Sequence, residues 1–553
     1  MLFSTTALML TFIQVPHKLH FLAWVAWVPF VLACREDSKT WRLAGISLLV
    51  GTVYWLGNLW WLTLVTVPGY IGFCIYLGLY WPILAVCVRF FRRKGFGLFI
   101  ALPLLITGAE AWQGIILTGF IWRLLAHSQY ANTTLIQISD IFGATGVTFI
   151  IAMVNGLVCD LLIDYRANRV LRLANAFKTA IVALVIASTL VYGHFRLDQY
   201  EQSVTEGPLI GSVQPNIPSY VKEMADNGEI ILNELIEKSD KCLDAGAELV
   251  VWPETIVLAT MNKPFIRALK RVDPDHPTIK YDEMISDHAN GRGYIFFGAH
   301  AVTLEGVQNI ITERFNSGFL YRPDGSQDPE RYDKIHLVPF GEFIPLKNSV
   351  PFMYRLFRFF SPYDYDYSLT RGSEYTVFKM NKAKGDGLYR FGALICYEDT
   401  DPEVTRKMAV SEEGEKKTDW LVNISNDGWY VRFNMDSREV LASGELSQRT
   451  AISAFRAVEN RISIVRSVNT GISCVIESSG RIKDGYVEGN LPETAMERQA
   501  VDGWMVDRIK IDKRITLFSK YGKWPDIIFA AAFVLTLAGL FAVKFHFKMQ
   551  NRI

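Results

Sequence analysis

Residues 43 to 88 read LAGISLLVGTVYWLGNLWWLTLVTVPGYIGFCIYLGLYWPILAVCV and contain no charged side chain. A hydrocarbon core about 30 Å thick is crossed by about 20 helical residues, so this stretch is too long for one crossing. Val67-Pro68-Gly69 interrupts it near its middle, where Pro and Gly favour a turn. The stretch therefore predicts a hairpin of two transmembrane helices.

Further apolar runs extend this pattern on both sides. The first 34 residues contain two shorter runs separated by Pro16-His17-Lys18. They lack the basic start and the small-residue cleavage site of a signal peptide, which favours two short membrane helices over a cleaved leader. The other runs lie at residues 96–118, 141–162, 180–195 and 527–543. We therefore predict a membrane α-helical bundle of about eight transmembrane helices.

The distribution of Lys and Arg predicts how these helices are oriented. Basic clusters follow alternate apolar runs, whereas the loops between them, such as residues 66–70, are short and nearly free of Lys and Arg. Basic loops lie on the cytoplasmic side, so both termini are expected there. Counting crossings then predicts three parts: a membrane domain at 1–196, an extracytoplasmic domain at 197–523, and a last helix with a short tail at 524–553. The basic clusters are Arg35/Lys39/Arg42, Arg89/Arg92/Arg93/Lys94, Arg166/Arg169/Arg172/Lys178 and Lys544/Lys548/Arg552.

The composition of the 553-residue chain excludes several classes of protein. Half of the residues are apolar, 20% are charged, and the formal net charge is +1. No basic field is present to hold nucleic acid, so no nucleic-acid partner is expected. None of the seven cysteines forms a C-x-x-C pair, which argues against a zinc ribbon, a thioredoxin-like site or a disulfide scaffold. Without a glycine-rich phosphate loop or a metal-spaced cluster, we predict no cofactor.

The segment 197–523 reads as an α/β layered domain with a buried sheet. Short apolar strands alternate with helical patterns over this segment. An arm at 349–373, rich in Phe, Tyr and Arg, fits either a membrane interface or an ordinary domain edge. The predicted strands lie at 209–213, 248–252, 294–297, 392–396, 420–424 and 462–465, and helical patterns at 230–245 and 445–460.

Three reactive residue types stand at or near the ends of predicted strands. Glu254 follows Val250-Val251-Trp252-Pro253, Lys334 precedes an apolar turn that ends at Glu342, and Cys396 ends an apolar strand. Each has an ordinary structural explanation by itself, as a cap, a surface pair or a buried thiol. Brought together by the fold, they would form a coherent nucleophilic site. Glu254 could accept the thiol proton, and Lys334 could stabilise thiolate and oxyanion.

These segments resemble the nitrilase, or carbon–nitrogen hydrolase, superfamily in order and in strand-end setting. The full chain resembles the bacterial apolipoprotein N-acyltransferase family more narrowly, with eight membrane helices and a nitrilase-like domain inserted before the last. The matching segments run nearly end to end: residues 118–122 (TGFIW), 135–140 (LIQISD) followed by Gly143 and Gly146, 213–218 (VQPNIP), 252–254 (WPE), 315–317 (FNS), 333–342 (DKIHLVPFGE), 396–398 (CYE), 423–429 (NISNDGW) and 456–460 (RAVEN).

This resemblance implies a fold, a reaction and residue roles. The fold is an α/β nitrilase-like domain, an αββα sandwich, on the outer side of the bacterial inner membrane. Glu254 would be the general base, Lys334 the stabiliser of the intermediate and Cys396 the nucleophile, with Glu342, Tyr397 and Glu398 supporting them. The acyl donor would be a membrane phospholipid, and the acceptor the α-amine of the N-terminal diacylglyceryl-cysteine of an apolipoprotein. The transfer would be ping-pong through a Cys thioester, without a cofactor. The substrate-binding candidates are Asn316, Asn426 and Trp429.

The chain departs from the family pattern outside the three reacting residues. Glu223 stands where an aromatic residue is common, Val431 where the family has Phe-Gly after the tryptophan, and Arg449 where it has a histidine. Gln113 replaces an arginine near Glu110, an acid inside a predicted span that suits either a substrate chamber or a helix–helix hydrogen bond. Two alternatives stay open: a membrane-tethered amidase that hydrolyses a small amide, and a catalytically silent lipid-binding protein. An apolar lid at 352–367 that keeps water from the thioester is a further hypothesis.

Overall fold

The structure is a computed structural model and describes residues 1–168, 173–222, 227–306, 309–344, 367–383, 385–434 and 439–550, the last ten by backbone only. Glu223 and most of the hypothetical lid, residues 352–366, lie outside the described residues. The chain separates into two units. A helical unit comprises Met1–Thr63, Val67–Asp198 and Lys523–Ile553, and a mixed α/β unit comprises Leu64–Thr66 and Gln199–Gly522.

The helical unit contains the predicted apolar runs. The helix Thr40–Asn58 ends before Val67-Pro68-Gly69, and these three residues form the first turn of the next helix, Val67–Gly78. Pro68 is tolerated there because an N–H in the first turn has no intrahelical partner. The helices are Leu2–Phe12, Val28–Ala33, Thr40–Asn58, Val67–Gly78, Tyr80–Arg93, Leu98–Gln113, Thr133–Ile136, Ser139–Asn168, Leu173–Ser203 and Trp524–Gln550.

Three helical stretches of the described chain are long and apolar enough to cross a membrane, namely Val67–Arg93, Ser139–Ala167 and Leu173–Ser203. The first of them consists of the consecutive helices Val67–Gly78 and Tyr80–Arg93. Shorter apolar helices lie at Leu2–Phe12, His20–Ala33, Leu98–Gln113 and Trp524–Leu540.

Small residues let the apolar helices approach closely. A Cβ atom on Gly51 would lie 2.4 Å from the Trp81 ring, and one on Gly156 would lie 2.2 Å from the Leu98 carbonyl oxygen. Glu110 uses both carboxylate oxygens between elements of this unit, accepting from Leu125 N–H at 2.7 Å and from the Thr148 hydroxyl at 2.7 Å. These bonds favour the structural interpretation of this acid.

The α/β unit contains two main β-sheets. The strands are β1 Val204–Gln214, β2 Leu249–Val251, β3 Tyr294–Glu305, β4 Ile310–Tyr321, β5 Gln327–Asp333, β6 Val377–Asn381, β7 Leu388–Ile395, β8 Trp420–Ser425, β9 Arg432–Phe433, β10 Val440–Leu441, β11 Ser463–Val468, β12 Cys474–Ile476, β13 Glu488–Gly489 and β14 Gly503–Asp512. Seven strands form the first sheet, in the order β13-β14-β1-β2-β3-β4-β5, and five form the second, in the order β12-β11-β8-β7-β6. The parallel pairs are β1/β2, β2/β3, β7/β8 and β8/β11.

Successive side chains of a strand point alternately toward the other sheet and toward the covering helices. Phe296 of β3 contacts Phe378 and Phe391 of the second sheet, so this face of β3 lies between the sheets. Its neighbours Ile295 and Phe297 point the other way, into a core shared with two helices. Strands buried on both faces therefore read as continuous apolar runs.

Helices cover the outer face of each sheet. Gly211 of β1 approaches Cys242 of the helix Gly228–Asp244, and Gly392 of β7 approaches Met408 of the helix Pro402–Ala409. The predicted α/β domain with αββα layers is thus confirmed. The helices of this unit are Ser219–Lys222, Gly228–Asp244, Lys263–Val272, Pro277–Ala289, Pro402–Ala409, Gly444–Asn460 and Leu517–Tyr521.

Cys242 and Cys474, the two cysteines of the α/β unit besides Cys396, do not form a disulfide with each other. Both thiols are free and buried. Cys242 belongs to the core on the helical side of the first sheet, whereas Cys474 belongs to the core that the two sheets share. They are therefore packing residues in different layers.

Candidate active site

The three reactive residues stand where strands end. Lys334 directly follows β5 and Cys396 directly follows β7, while Glu254 lies three residues beyond β2. Cys396 opens a 3-10 turn with φ at 53°, and Thr255, beside Glu254, has φ at 43°. Such left-handed backbone costs a non-glycine residue about 1–3 kcal/mol and concentrates at functional sites. Sharp turns thus follow the strands that carry the acid and the thiol.

One ammonium group joins two carboxylates at this site. Lys334 Nζ donates to Glu254 Oε1 at 3.2 Å and to Glu342 Oε1 at 2.9 Å. Asn316 Nδ2 donates to the same two oxygens, at 2.7 and 3.1 Å. The Lys334 side chain is 1% exposed. Two carboxylates can lie this close because a cation and an amide lie between them.

The backbone fixes the remaining oxygen of each carboxylate. Asn426 N–H donates to Glu254 Oε2 at 2.9 Å, and Val338 N–H donates to Glu342 Oε2 at 2.8 Å. A glycine of β3 makes room for the Glu254 loop, since a Cβ atom on Gly298 would lie 2.6 Å from Glu254 Cα. Both carboxylates are therefore held by hydrogen bonds on each oxygen.

Electrostatics set the protonation states of the acid and the lysine. Burial acts to lower the pKa of Lys334, but the neighbouring Glu254 and Glu342 carboxylates outweigh it and raise that pKa well above its usual value. Burial acts to raise the pKa of Glu254, but Lys334, Asn316 and Asn426 N–H together lower it. The pair is therefore a carboxylate and an ammonium at neutral pH.

The thiol is in the opposite situation. Cys396 is 8% exposed, and burial raises its pKa to about 12, with the Glu254 carboxylate adding to the rise and Lys334 and Arg449 opposing it. The sulfur is therefore protonated at neutral pH. It becomes a nucleophile when a base removes its proton during attack. Glu254, ionised and electrostatically coupled to the sulfur, is chemically suited to accept it.

Glu398 connects the lysine segment to the cysteine segment. Its Oε1 accepts from Ile335 N–H at 2.7 Å and His336 N–H at 2.9 Å, while Oε2 accepts from Ile395 N–H at 2.7 Å. The Tyr332 hydroxyl donates to the same carboxylate at 2.9 Å. Burial nevertheless raises the pKa of Glu398 to about 7. The strand ends that carry Lys334 and Cys396 are thus bonded to one side chain.

The other predicted residues lie around this centre. Asn316 bonds both site carboxylates, and Asn426 bonds Glu254 through its backbone, with its side-chain oxygen accepting from Gly428 N–H and Asn469 Nδ2. Tyr397 follows the nucleophile and packs edge-on against the His336 ring. Trp429 is 40% exposed. The substrate-binding roles of Asn316, Asn426 and Trp429 stay predictions.

A cluster of buried charged side chains lies beside the thiol, and the sequence alone did not predict it. Arg449 donates to Asp399 at 3.0 Å and to Asp427 at 2.6 Å, and its Nη1 lies 3.6 Å from Cys396 Sγ. Both acids lie inside the quoted family segments or directly beside them, which was the available indication. His300, paired with Asn316 in the β3/β4 register, was missed as well. In the described part of the chain, no group of three or more His, Cys, Asp or Glu residues suits a metal ion.

Comparison with known families identifies the α/β unit as a carbon–nitrogen hydrolase domain. A family model described as "Carbon-nitrogen hydrolase" matches residues 209–491, and one described as "Apolipoprotein N-acyltransferase N-terminal domain" matches residues 6–157. An amidase of the nitrilase superfamily from Nesterenkonia covers 55% of this chain and 92% of its own, with 14% identity and a TM-score of 0.33.

Relatives that match most of the chain identify the family within this class. The apolipoprotein N-acyltransferase of Geobacter metallireducens is 30% identical to this chain, and the match covers 95% of this chain and 91% of the relative. That of Chlorobaculum tepidum is 27% identical over 92% and 89% of the two chains. The chain belongs to the apolipoprotein N-acyltransferase family.

Proposed function

We propose that this protein transfers an acyl chain from a membrane phospholipid to the α-amine of the N-terminal diacylglyceryl-cysteine of apolipoproteins. Family membership supports lipoprotein N-acylation in general, and the site supports a ping-pong route through a thioester. The observation that carries the proposal is the buried Glu254–Lys334–Glu342 cluster, which is electrostatically coupled to the Cys396 thiol at a strained turn.

In the first half-reaction, Glu254 removes the Sγ proton as the sulfur attacks the ester carbonyl of the phospholipid. The C=O electron pair moves onto oxygen, where Lys334 stabilises the developing charge. The backbone N–H of Tyr397, one residue after the nucleophile, is the proposed second donor. The oxyanion then collapses, the ester C–O bond breaks, and the proton from Glu254 goes to the departing lysophospholipid. Cys396 keeps the acyl chain as a thioester.

In the second half-reaction, the lipoprotein amine attacks the thioester carbonyl. Glu254 takes a proton from the amine, the C–S bond breaks, and its electron pair returns to Cys396. That proton then restores the thiol, so the enzyme regains its starting state and the product is an amide. Glu342 and Glu398 support both half-reactions. Glu342 bonds Lys334, and Glu398 accepts from the backbone beside Lys334 and beside Cys396.

The membrane arrangement belongs to the same proposal. We count the three long helices, the four shorter apolar helices and the 19-residue helix Thr40–Asn58 as the eight proposed crossings. With the basic clusters on the cytoplasmic side, both termini are cytoplasmic and the catalytic domain at 197–523 lies on the outer side of the bacterial inner membrane. Both lipid substrates are then anchored in the leaflet next to that domain.

The test is intact-mass analysis of the purified protein after incubation with phospholipid vesicles, for wild type and Cys396→Ala. We expect a mass gain of one acyl chain in wild type and none in the variant. Addition of a diacylated lipopeptide should discharge the adduct and acylate the peptide. An adduct discharged only by water would instead identify a hydrolase, and absence of any adduct would contradict the thioester route and favour a silent lipid-binding protein.

A further inference from the structure

The guanidinium of Arg449 touches the sulfur of the proposed nucleophile. Arg449 Nη1 lies 3.6 Å from Cys396 Sγ, and within the described chain it is the group that donates a hydrogen bond to this atom. The Arg449 side chain is 1% exposed. A charged donor at this position costs a large desolvation penalty unless it is paired.

Two carboxylates pair Arg449 and fix its orientation. Nε donates to Asp399 Oδ1 at 3.0 Å, while Nη1 donates to Asp427 Oδ1 at 2.6 Å. Arg466 and the Ser453 hydroxyl hold the other oxygen of Asp399, and the Ser425 hydroxyl donates to Asp427. Both carboxylate side chains are fully buried. The guanidinium is therefore set in place before substrate arrives, as electrostatic catalysis requires.

The charged groups around the sulfur indicate that Arg449 stabilises its anionic form. Glu254 and Glu342 oppose an anionic sulfur, whereas Lys334 and Arg449 favour it. Lys334 is engaged by both of those glutamates, and the proposed mechanism uses it on the carbonyl oxygen. Burial and Asp427 raise the pKa of Glu445 well above its usual value, and burial does the same for the Tyr430 phenol, so neither adds negative charge at neutral pH.

We propose that Arg449 is a catalytic residue that stabilises the anionic sulfur of Cys396 in both half-reactions. This inference rests on the proposed thioester route. When Glu254 removes the Sγ proton, the Nη1–H hydrogen bond strengthens because its acceptor becomes charged. In the thioester the sulfur is neutral and the bond weakens. When the amine attacks and the C–S bond breaks, the electron pair returns to sulfur and the same N–H receives it. Lys334 thus serves the oxygen and Arg449 the sulfur.

The first test measures the thiol without any lipid. Iodoacetamide reacts with the thiolate, so the alkylation rate of Cys396 at pH 8 reports how much thiolate is present. We would follow the Cys396 peptide by mass spectrometry in full-length wild type, Arg449→Gln and Arg449→Lys. Arg449→Gln should lower the rate constant at least tenfold, corresponding to one pKa unit or more, and Arg449→Lys should lower it less.

Arg456→Gln is the matched control. Arg456 lies on the same helix as Arg449 and is equally buried, but its side chain bonds Glu459 and the Thr400 carbonyl rather than the sulfur or the two carboxylates that hold Arg449. This variant should change the alkylation rate less than threefold. Equal effects of Arg449→Gln and Arg456→Gln would overturn the proposal, because they would assign Arg449 a purely structural role.

A second variant tests the charge itself and covers the case in which Arg449→Gln fails to fold. Arg449→His places a titratable cation beside the sulfur, whereas arginine stays protonated throughout. The alkylation rate of Arg449→His, divided by that of wild type, should fall as the pH rises past the imidazole pKa, about 6.5 in free histidine and higher between Asp399 and Asp427. A constant ratio between pH 6 and pH 9 would contradict the proposal.

Failure of the proposed function would look different from failure of this inference. If wild type forms no acyl adduct but alkylation depends on Arg449 as described, the thioester route fails while the action of Arg449 on the sulfur stands. If wild type forms the adduct and Arg449→Gln matches Arg456→Gln in alkylation, in acylation and in transfer to the lipopeptide, the route stands and this inference is overturned.

Discussion

Glu254 and Glu342 make nearly the same contacts, yet their expected chemistry differs. Each carboxylate accepts from Lys334 Nζ and Asn316 Nδ2 through one oxygen and from a backbone N–H through the other. The field of Glu254 acts more strongly on the Cys396 sulfur than that of Glu342. The contacts to Lys334 alone therefore do not distinguish a base from a partner of the lysine.

We expect Glu254→Gln to slow acylation of Cys396 by about 10²–10⁴-fold, the usual contribution of a general base. Glu342→Gln should slow it less than tenfold, because Glu254 can still take the proton. Stopped reactions with phospholipid vesicles, analysed by intact mass, measure both rates. Similar losses in the two variants, with unchanged thermal midpoints, would mean that Glu254 has no special role as base.

At the scale of elements, β2 and β3 bring the Glu254 loop against a glycine. A Cβ atom on Gly298 would lie 2.5 Å from Thr255 N and 2.6 Å from Glu254 Cα, both backbone atoms that cannot rotate away. The loop has little freedom to retreat, because Asn426 N–H and Asn316 bind its carboxylate from other strands. Steric room at one strand position thus controls where the proposed base stands.

Gly298→Ala should therefore displace Glu254 and lower the acylation rate at least tenfold, with a stability loss of about 1–3 kcal/mol from overpacking. Acylation by intact mass and the thermal midpoint check the two effects. Gly57→Ala is the control, since an added Cβ at Gly57 meets nothing within 4 Å. An active, stable Gly298→Ala would show that the loop tolerates displacement.

The helix Pro277–Ala289 carries a histidine that should make stability depend on pH. His288 is 7% exposed, its ring stacks on Trp252, and burial lowers its pKa to about 4. Below pH 6.5 the unfolded chain binds a proton that the folded chain excludes, so stability is lost as the pH falls from 6.5 to 4. The loss reaches about 3 kcal/mol for a group that shifts by this amount.

His288→Phe should remove this part of the acid sensitivity, because phenylalanine fills the site without titrating. Thermal midpoints of wild type and variant at pH 7 and pH 4.5 provide the comparison. The gap between the two pH values should narrow in the variant. An identical gap in both proteins would assign the acid sensitivity to other groups.

At the scale of the whole molecule, the proposed topology is directly measurable. Single cysteines introduced at Ser38 and Ser326, in a variant with the native cysteines replaced, should label differently in intact cells. Ser326 lies in the predicted extracytoplasmic domain and should react with a membrane-impermeant maleimide. Ser38 lies among the predicted cytoplasmic basic residues and should react only after the membrane is permeabilised. The reverse pattern would invert the arrangement of the chain.

The sequence predicted some buried strands of the α/β unit and missed other strands for physical reasons. The strands β2, β7 and β8 overlap predicted strands, because their sequences read as apolar runs. β5, with the sequence QDPERYD, contains a proline and four charged residues, and it forms because it lies at the edge of its sheet, where such residues are tolerated.

The sequence likewise predicted only part of the candidate site. Short family segments indicated Glu254, Lys334 and Cys396, and the fold brings their strand ends together. Arg449 appeared in the sequence only as a departure from the family pattern. Its partners Asp399 and Asp427 come from separate loops, so no local periodicity could predict that a charged side chain would be fully buried beside the thiol.

The carboxylate of Glu398 has a consequence for protein engineering. It accepts hydrogen bonds from the segment after β5 in one sheet and from the end of β7 in the other. Any sliding of one sheet over the other would have to break these bonds before it could separate lysine from cysteine. A designer who transplants the three reacting residues onto a new two-sheet scaffold should therefore carry this fourth residue and its N–H donors with them. Without it, the graft would reproduce the chemical groups but not their fixed spacing.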